Sequence, residues 1–402
     1  MRALIVGCGI GGLTIALMLR QRGIECELYD QAMDHAGPDV GIHLLPRAGR
    51  ELVQLGLLDQ LDNEALRIYE SVYADALGRE LRRKAPGADA RFEYPQFSLS
   101  LGRLQKMLST AALARLGSSR IYFGHQLKSF TQDEGGVRAY FFDEQGSYCR
   151  TARGDILIGA DGHHSSVRAL LFPHNTGRRF TGRVVWRGMH NWPMFLTGRS
   201  MFIAAASACK LQVYPIAKGP LQNQCLTNWS VLADIGQARE ERQEPGPARH
   251  GCLDDIMPYA RRFSIPYCDT SALIQATREV REYPLYERVP LLRWSCGRVT
   301  LVGDAAHSTY PAISNGASRA ILGARCLADK LASAEHPRHA LLMYEDECFP
   351  KGLRRSMAPA ADQPSSTNSR SWHGSQHSVT DKPSNVVSLP RPRSNASEDH
   401  PL

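Results

Sequence analysis

Ala3-Leu4-Ile5-Val6-Gly7-Cys8-Gly9-Ile10-Gly11-Gly12-Leu13 stands at the head of the chain, and its reading decides the fold. The apolar run before Gly7 suits a strand buried on both faces. Gly7, Gly9 and Gly12 then match the spacing G-x-G-x-x-G. In such a turn the first glycine permits the tight bend, the second lets backbone approach a pyrophosphate, and the third lets the next helix pack closely. Leu13 to Leu19 continues as a helix ending near Gly23, and Glu25 to Tyr29 reads as a second strand with Asp30 at its end. A carboxylate there accepts hydrogen bonds from ribose hydroxyls, so the segment predicts a βαβ nucleotide-binding unit.

Two later turns carry the reading further. Gly159-Ala160-Asp161-Gly162-His163-His164-Ser165-Ser166-Val167-Arg168 lies near the middle of the chain. Gly303-Asp304-Ala305-Ala306-His307 follows an apolar strand, Val299 to Val302, and leads through Tyr310-Pro311 to Ser314-Asn315-Gly316-Ala317. Each alone is an Asp cap and a glycine turn. Together, in this order, they describe a flavin site closed by distant segments. Asn315-Gly316-Ala317 opens a helix over 315–333, and its first amides suit an electron-rich ring. A ribityl chain and a pyrimidine ring need such partners, whereas NAD held by a single βαβ unit does not.

The chain has 402 residues, enough for one large domain or two medium ones, and a formal net charge of +8. Its Lys and Arg residues are spread along the sequence, which favours small anions slightly and supplies no stripe for nucleic acid. Ten cysteines occur without a CxxC pair. That usage suits a reducing compartment and predicts a cytoplasmic protein. Residues 3–19 are too interrupted by glycine for a signal peptide, and no segment reaches membrane-spanning length without charges.

Strand-like alternation appears in 136–142, 183–189, 211–216 and 226–232, between the two halves of the nucleotide fold. It predicts a second layer, a β-sheet forming a substrate wall. Residues 103–115 read as a helix, with Leu104, Met107, Leu108 and Ala111 at helical spacing. The fold class expected is α/β (α+β): a Rossmann-like FAD-binding domain with an inserted mixed β-sheet substrate domain. Its nucleotide-binding segments are about 1–68, 101–176 and 290–340, and its substrate-sheet segments about 69–100 and 177–289. Residues 359–402, rich in Ala, Pro, Ser, Asn and His, lack apolar periodicity and predict a disordered tail.

On these residues the chain resembles the aromatic-ring flavoprotein monooxygenases, the group that includes p-hydroxybenzoate and salicylate hydroxylases. The resemblance covers about residues 1–350. Trp186-Arg187-Gly188, Leu196 to Met201, Val213-Tyr214-Pro215-Ile216, Asn228-Trp229 and Tyr286-Glu287-Arg288 are similar to its phenazine-type branch. The resemblance implies an oxidoreductase that uses FAD, with NAD(P)H as transient reductant and O₂ as co-substrate. Oxygen would pass through a flavin C4a-hydroperoxide to an electron-rich aromatic ring. It also implies that Gly7, Gly9, Ile10, Gly12, Asp30 and Gln31 hold the ADP half of FAD. Gly41, Leu101, Asp161 and Gly162 belong to the cofactor set, Asp304 to the ribityl chain, and Asn315, Gly316 and Ala317 to the isoalloxazine.

This sequence departs from the family pattern at several of those places. Leu101 stands where the Arg of an Arg-Gly-x-Leu-Gln segment is expected, and Arg103, nearby, faces elsewhere on a helix. His43 and Asp39 replace an Asn and a Gly, Ser308 a Pro, Ile313 a Gly and Arg319 a Gln, and the family's last helix and strand are not visible after Pro350. A flavin-binding protein with weak or no hydroxylase activity, and an NAD(P)-dependent reductase, remain open. His163, His164 and His307 lack metal-ligand spacing and read as loop or capping residues, so no metal site is assigned. Trp186, Tyr214 and Trp229 fit a pocket wall or a core equally. No triad or carboxylate pair presents itself, and no catalytic residue is nominated.

Overall fold

A five-stranded parallel sheet organises the nucleotide half, in the order Val299–Leu301, Ile156–Gly159, Arg2–Val6, Glu25–Tyr29, Ile121–Tyr122. The computed structural model describes residues 1–33, 40–84, 94–175, 177–236, 249–307 and 315–348. All of these fall within one compact unit, Met1–Ala360, and the second unit, Ala361–Leu402, lies outside the described residues. The expected tail from 359 therefore lies outside them too, as do Asp39, Ser308, Ile313 and the chain after Pro350.

The adjacent strands Val299–Leu301, Ile156–Gly159 and Arg2–Val6 hold Leu301, Leu157, Ile158, Leu4 and Ile5 fully buried, as two-sided coverage requires. The helices Ile10–Gln21, Leu101–Leu116 and Gly316–Ser333 belong to the same core. A second antiparallel sheet, Gln126–Asp133, Gly136–Phe142 and Tyr148–Gly154, shares it. Here one expectation is corrected. Gly136–Phe142 does not join a substrate wall: Val137, Ala139 and Phe141 are buried in the nucleotide core, and Phe141 stacks on Tyr29 with ring centroids 4.0 Å apart. Alternation reports a half-buried strand and not which sheet it covers.

The second body is an eight-stranded mixed sheet. Its order is Arg249–His250, Val280–Arg288, Arg178–Pro193, Gln224–Asp234, Cys209–Lys218, Ser200–Ala206, Glu70–Asp75, Glu80–Lys84. One face carries Trp186, Phe202, Val213 and Trp229, packed with residues of the helices Leu253–Ala260 and Thr270–Ala276. The opposite face carries Met201, Ile203, Tyr214 and Ile216, and beside them Val185, Leu232 and Leu285. The strand Gln96–Ser100 pairs with Gly41–Leu44 and Leu66–Ile68 in a separate small sheet.

A last helix, Pro337–Cys348, has no counterpart in the sequence reading. Its Glu345 Oε2 accepts the amides of Trp294 and Ser295 at 2.9 and 2.8 Å, and Tyr344 OH donates to Leu301 O at 3.1 Å. Among the described residues no helix is long and apolar enough to cross a membrane.

Candidate functional site

Register brings the three glycine turns to one place. Val6 pairs with Gly159, and Gly159 with Leu301, so the strands end side by side and their turns leave the same edge of the sheet. Ligands of open parallel sheets bind beyond that edge. Gly7 has φ +105, and a Cβ on it would sit 2.5 Å from Ala160 O, so the first turn rests directly on the second. At Gly12 a Cβ would meet Gly7 O at 1.8 Å, which is how closely the helix Ile10–Gln21 lies on its own strand. Gly9 differs from both. It precedes that helix with φ -73, and a Cβ there would meet nothing within 4 Å.

The second and third turns are clamped to each other. Asp161 Oδ2 accepts the amides of Ser166 and Val167 at 2.7 and 3.2 Å, capping the short helix Ser166–Leu171. Its other oxygen is buried without a hydrogen-bond partner, and burial holds the carboxyl above the usual range. From that helix the buried Arg168 donates to the carbonyls of Ala305 and Ala306 at 3.2 and 3.3 Å. His163 Nδ1 lies 3.1 Å from Asp304 Oδ2. Arg168 and His163 were not among the expected site residues. Both lie within the quoted motif, but which loop they reach depends on strand order.

The other expected residues divide. Asp30 stays with the first turn, accepting from the amides of Cys8 at 2.5 Å and Ala32 at 2.8 Å. Ile10, at the start of the first helix, packs partly on the core, while Gln31 lies outward, its Oε1 3.4 Å from Gln126 Nε2. Leu101 begins the helix Leu101–Leu116, packs partly on the nucleotide core and donates its amide to Val40 O at 2.8 Å. Arg103 turns away to Glu64 at 3.2 Å, as helix geometry requires. It is Gln105 that reaches the first turn, its Nε2 3.3 Å from Cys8 O. Asn315 precedes the helix Gly316–Ser333, whose N-terminus has no side-chain cap, and Gly316 has nothing within 4 Å of a Cβ.

Gly41 sits elsewhere, at the seam with the large sheet. Its amide donates to Asn228 Oδ1 at 3.0 Å and its carbonyl accepts from Tyr214 OH at 2.8 Å. Met189, Asn228 and Tyr214 lie in register across three strands, and Arg187, Ser230 and Gln212 form the next row. Side chains two apart share a face, so Arg187 points the way Tyr214 does. Trp186 and Trp229 are core on the opposite face, donating to Glu282 Oε2 and Thr277 Oγ1, each at 2.8 Å. Arg187 is half-buried, stands 5.9 Å over the Tyr283 ring, and has no carboxylate partner among the described residues.

Whether these residues fit FAD can be tested on the cradle itself. An uncapped helix N-terminus offers amides to an anion, and at Gly9, Gly162 and Gly316 a Cβ would occupy otherwise open space. Open volume beside unsatisfied donors, on the ligand edge of a parallel sheet, fits a bound dinucleotide.

Buried histidines add a pH dependence. Burial first, and then the charge of Arg187, push His43 down to about 4, with Asn315 pulling the other way. Burial and Arg319 also lower His307. An unfolded histidine titrates near 6.5, so the unfolded chain binds these protons first as pH falls. The stability these two histidines contribute is therefore flat above about pH 6.5 and is lost progressively toward pH 4, with His43 accounting for about 3 kcal/mol. Melting curves across that range are expected to show a steep acid limb that His43→Asn makes shallower. Equal slopes in the two proteins would refute the assignment.

Comparison with known proteins agrees with this geometry. The model of a family described as FAD binding domain matches residues 1–355. The chain is 35% identical to phenazine 1,6-dicarboxylic acid hydroxylase PhzS of Lysobacter antibioticus, over 85% of this chain and 84% of that one. It is 30% identical to 3-hydroxybenzoate 6-hydroxylase of Polaromonas naphthalenivorans (strain CJ2), over 79% and 76% of the two chains. The crystal structure of Klebsiella pneumoniae HpxO with FAD and uric acid superposes with a TM-score of 0.70 at 24% identity, covering 86% of this chain and 84% of that one. At that identity the likeness speaks for the fold.

Proposed function

The chain belongs to the FAD-binding family whose model spans residues 1–355, and on that premise we propose that it hydroxylates an aromatic or heteroaromatic carboxylate. It is an FAD-dependent monooxygenase, an oxidoreductase of the aromatic hydroxylase group. FAD, when bound, supplies the electron transfer from NAD(P)H and the activation of O₂.

Everything else falls to the chain's own residues. We assign the pyrophosphate to the amides of the Gly7–Gly12 turn, with Asp30 on the adenosine ribose and Asp304 on the ribityl chain. Asp161 and Gly162 support the first turn from below. Asn315, Gly316 and Ala317 stand at the isoalloxazine, where the start of the helix Gly316–Ser333 presents its positive end. Leu101 donates no side-chain hydrogen bond, so Gln105 takes the polar role on its helix. Val185, Leu232 and Leu285 make the sheet wall apolar and keep water from the reacting centre.

The single observation that carries the substrate reading is Arg187. A half-buried guanidinium, unpaired with any described carboxylate and bordered by Tyr283 and the neutral His43, is matched by a carboxylate ligand. The two relatives described above are named for a dicarboxylic acid and a hydroxybenzoate. The ten cysteines, all free, support a cytoplasmic setting.

The test is oxygen uptake with NADH and NADPH across aromatic carboxylates and their carboxamides, with product mass detection. Carboxylates are expected to give products heavier by one oxygen atom, and carboxamides far less. Equal turnover of the two series would overturn the carboxylate reading.

A further inference from the structure

His43 lies in the strand Gly41–Leu44, whose side chains alternate between two surroundings. Ile42 and Leu44 are buried in the nucleotide core, so Gly41 and His43 face the large sheet. There a Cβ on Gly41 would lie 2.4 Å from Asn228 Cγ, and the His43 ring meets Tyr214 edge-on, centroids 5.9 Å apart at 84°. His43 is only 5% exposed. Arg187 acts on it from the strand Arg178–Pro193, Tyr214 faces it from Cys209–Lys218, and Asn315 from the start of the helix Gly316–Ser333. Ser98, its register partner on Gln96–Ser100, does not titrate.

Two of these neighbours pull in opposite senses. The Arg187 guanidinium opposes a second positive charge beside it. Asn315 favours one, and its Oδ1 is buried without a hydrogen-bond partner. An anion on Arg187 would cancel the repulsion and add an attraction, so the balance depends on what the site holds. We propose that His43 is a specificity-determining residue that takes up a proton from solvent when an anionic ligand pairs with Arg187, the imidazolium then donating to Asn315. The inference rests on the carboxylate reading given above. By linkage, the proton then tightens binding of an anion and does nothing for a neutral ring of the same shape.

The test is calorimetric titration of the FAD-loaded protein, without NAD(P)H, using 1-naphthoate and 1-naphthamide in buffers of different ionisation enthalpy. Between about pH 7.5 and 5.5 naphthoate should bind with uptake of a growing fraction of one proton, and its affinity should rise severalfold. Naphthamide should bind with no uptake. His43→Asn and His43→Gln should bind naphthoate with no uptake and a flat pH profile, whereas a purely structural role would lower affinity equally at every pH. Naphthoate bound without proton uptake, or with the same uptake in both variants, would overturn the role of His43 and leave the carboxylate reading standing. Failure of naphthoate to bind while naphthamide binds, or failure of both, would overturn the two together.

Discussion

Replacing Gly9 by valine is expected to yield a folded protein that has lost FAD. A Cβ at this position meets nothing within 4 Å, and its φ of -73 is ordinary for any L-residue, so the fold has no reason to suffer. What the side chain does fill is the open space in front of the first helix. The amides that would receive the pyrophosphate then lie behind a branched group. Losing two charge-assisted hydrogen bonds, at about 1.5–3 kcal/mol each, weakens binding by about a hundredfold or more. Gly12→Ala is the contrasting case: its Cβ would fall 1.8 Å from Gly7 O, so the helix must lift from its strand and the melting temperature should drop. Flavin fluorescence titration alongside thermal melts separates the two. Gly9→Val protein carrying FAD at wild-type stoichiometry would remove the turn from the cofactor site.

The second large effect is expected at Arg187. Its strand places it beside Val185 and Met189 on the face that carries Tyr214, half-buried and without a described acid to pair with. Arg187→Gln removes the charge while keeping a polar side chain of similar reach. The KM for a carboxylate substrate should rise by about thirtyfold, equivalent to about 2 kcal/mol, with little change for the matching carboxamide. Arg187→Lys should recover part of the loss, since it restores the charge but not the planar fork. FAD content should stay unchanged in both variants. A carboxylate KM that does not move would place the substrate's anionic group elsewhere.

Much of the nucleotide half was legible in advance because its signals are local. Gly7 and Gly12 answer backbone demands that another residue cannot meet, Gly9 leaves the space before the helix open, and Asp30 follows from strand length alone. The helix at 103–115 and the strands at 183–189, 211–216 and 226–232 were legible for the same reason, since burial periodicity is written in neighbouring residues. Gly136–Phe142 was misplaced because periodicity names a buried face without naming the surface that buries it. Trp186 and Tyr214 had looked alike as aromatic strand residues. They lie on opposite faces of one sheet, and only the pairing of Trp186 with Glu282 and of Tyr214 with Gly41 assigns the first to core and the second to the seam.

The sequence by itself determined a dinucleotide-type βαβ unit, two further glycine turns and a strand-rich insertion, because φ preferences, caps and hydrophobic period act over a few residues. Tertiary structure alone decided what those turns touch. The strand order set Gly159 between Val6 and Leu301, and that placed Arg168 on the carbonyls of Ala305 and Ala306 and His163 on Asp304. In the same way it brought His43, Arg187, Tyr214 and Asn315 to one seam from four separate segments. Charge, burial and hydrogen bonding act through space, and residues more than a hundred positions apart acquire them as neighbours only when the sheets have formed.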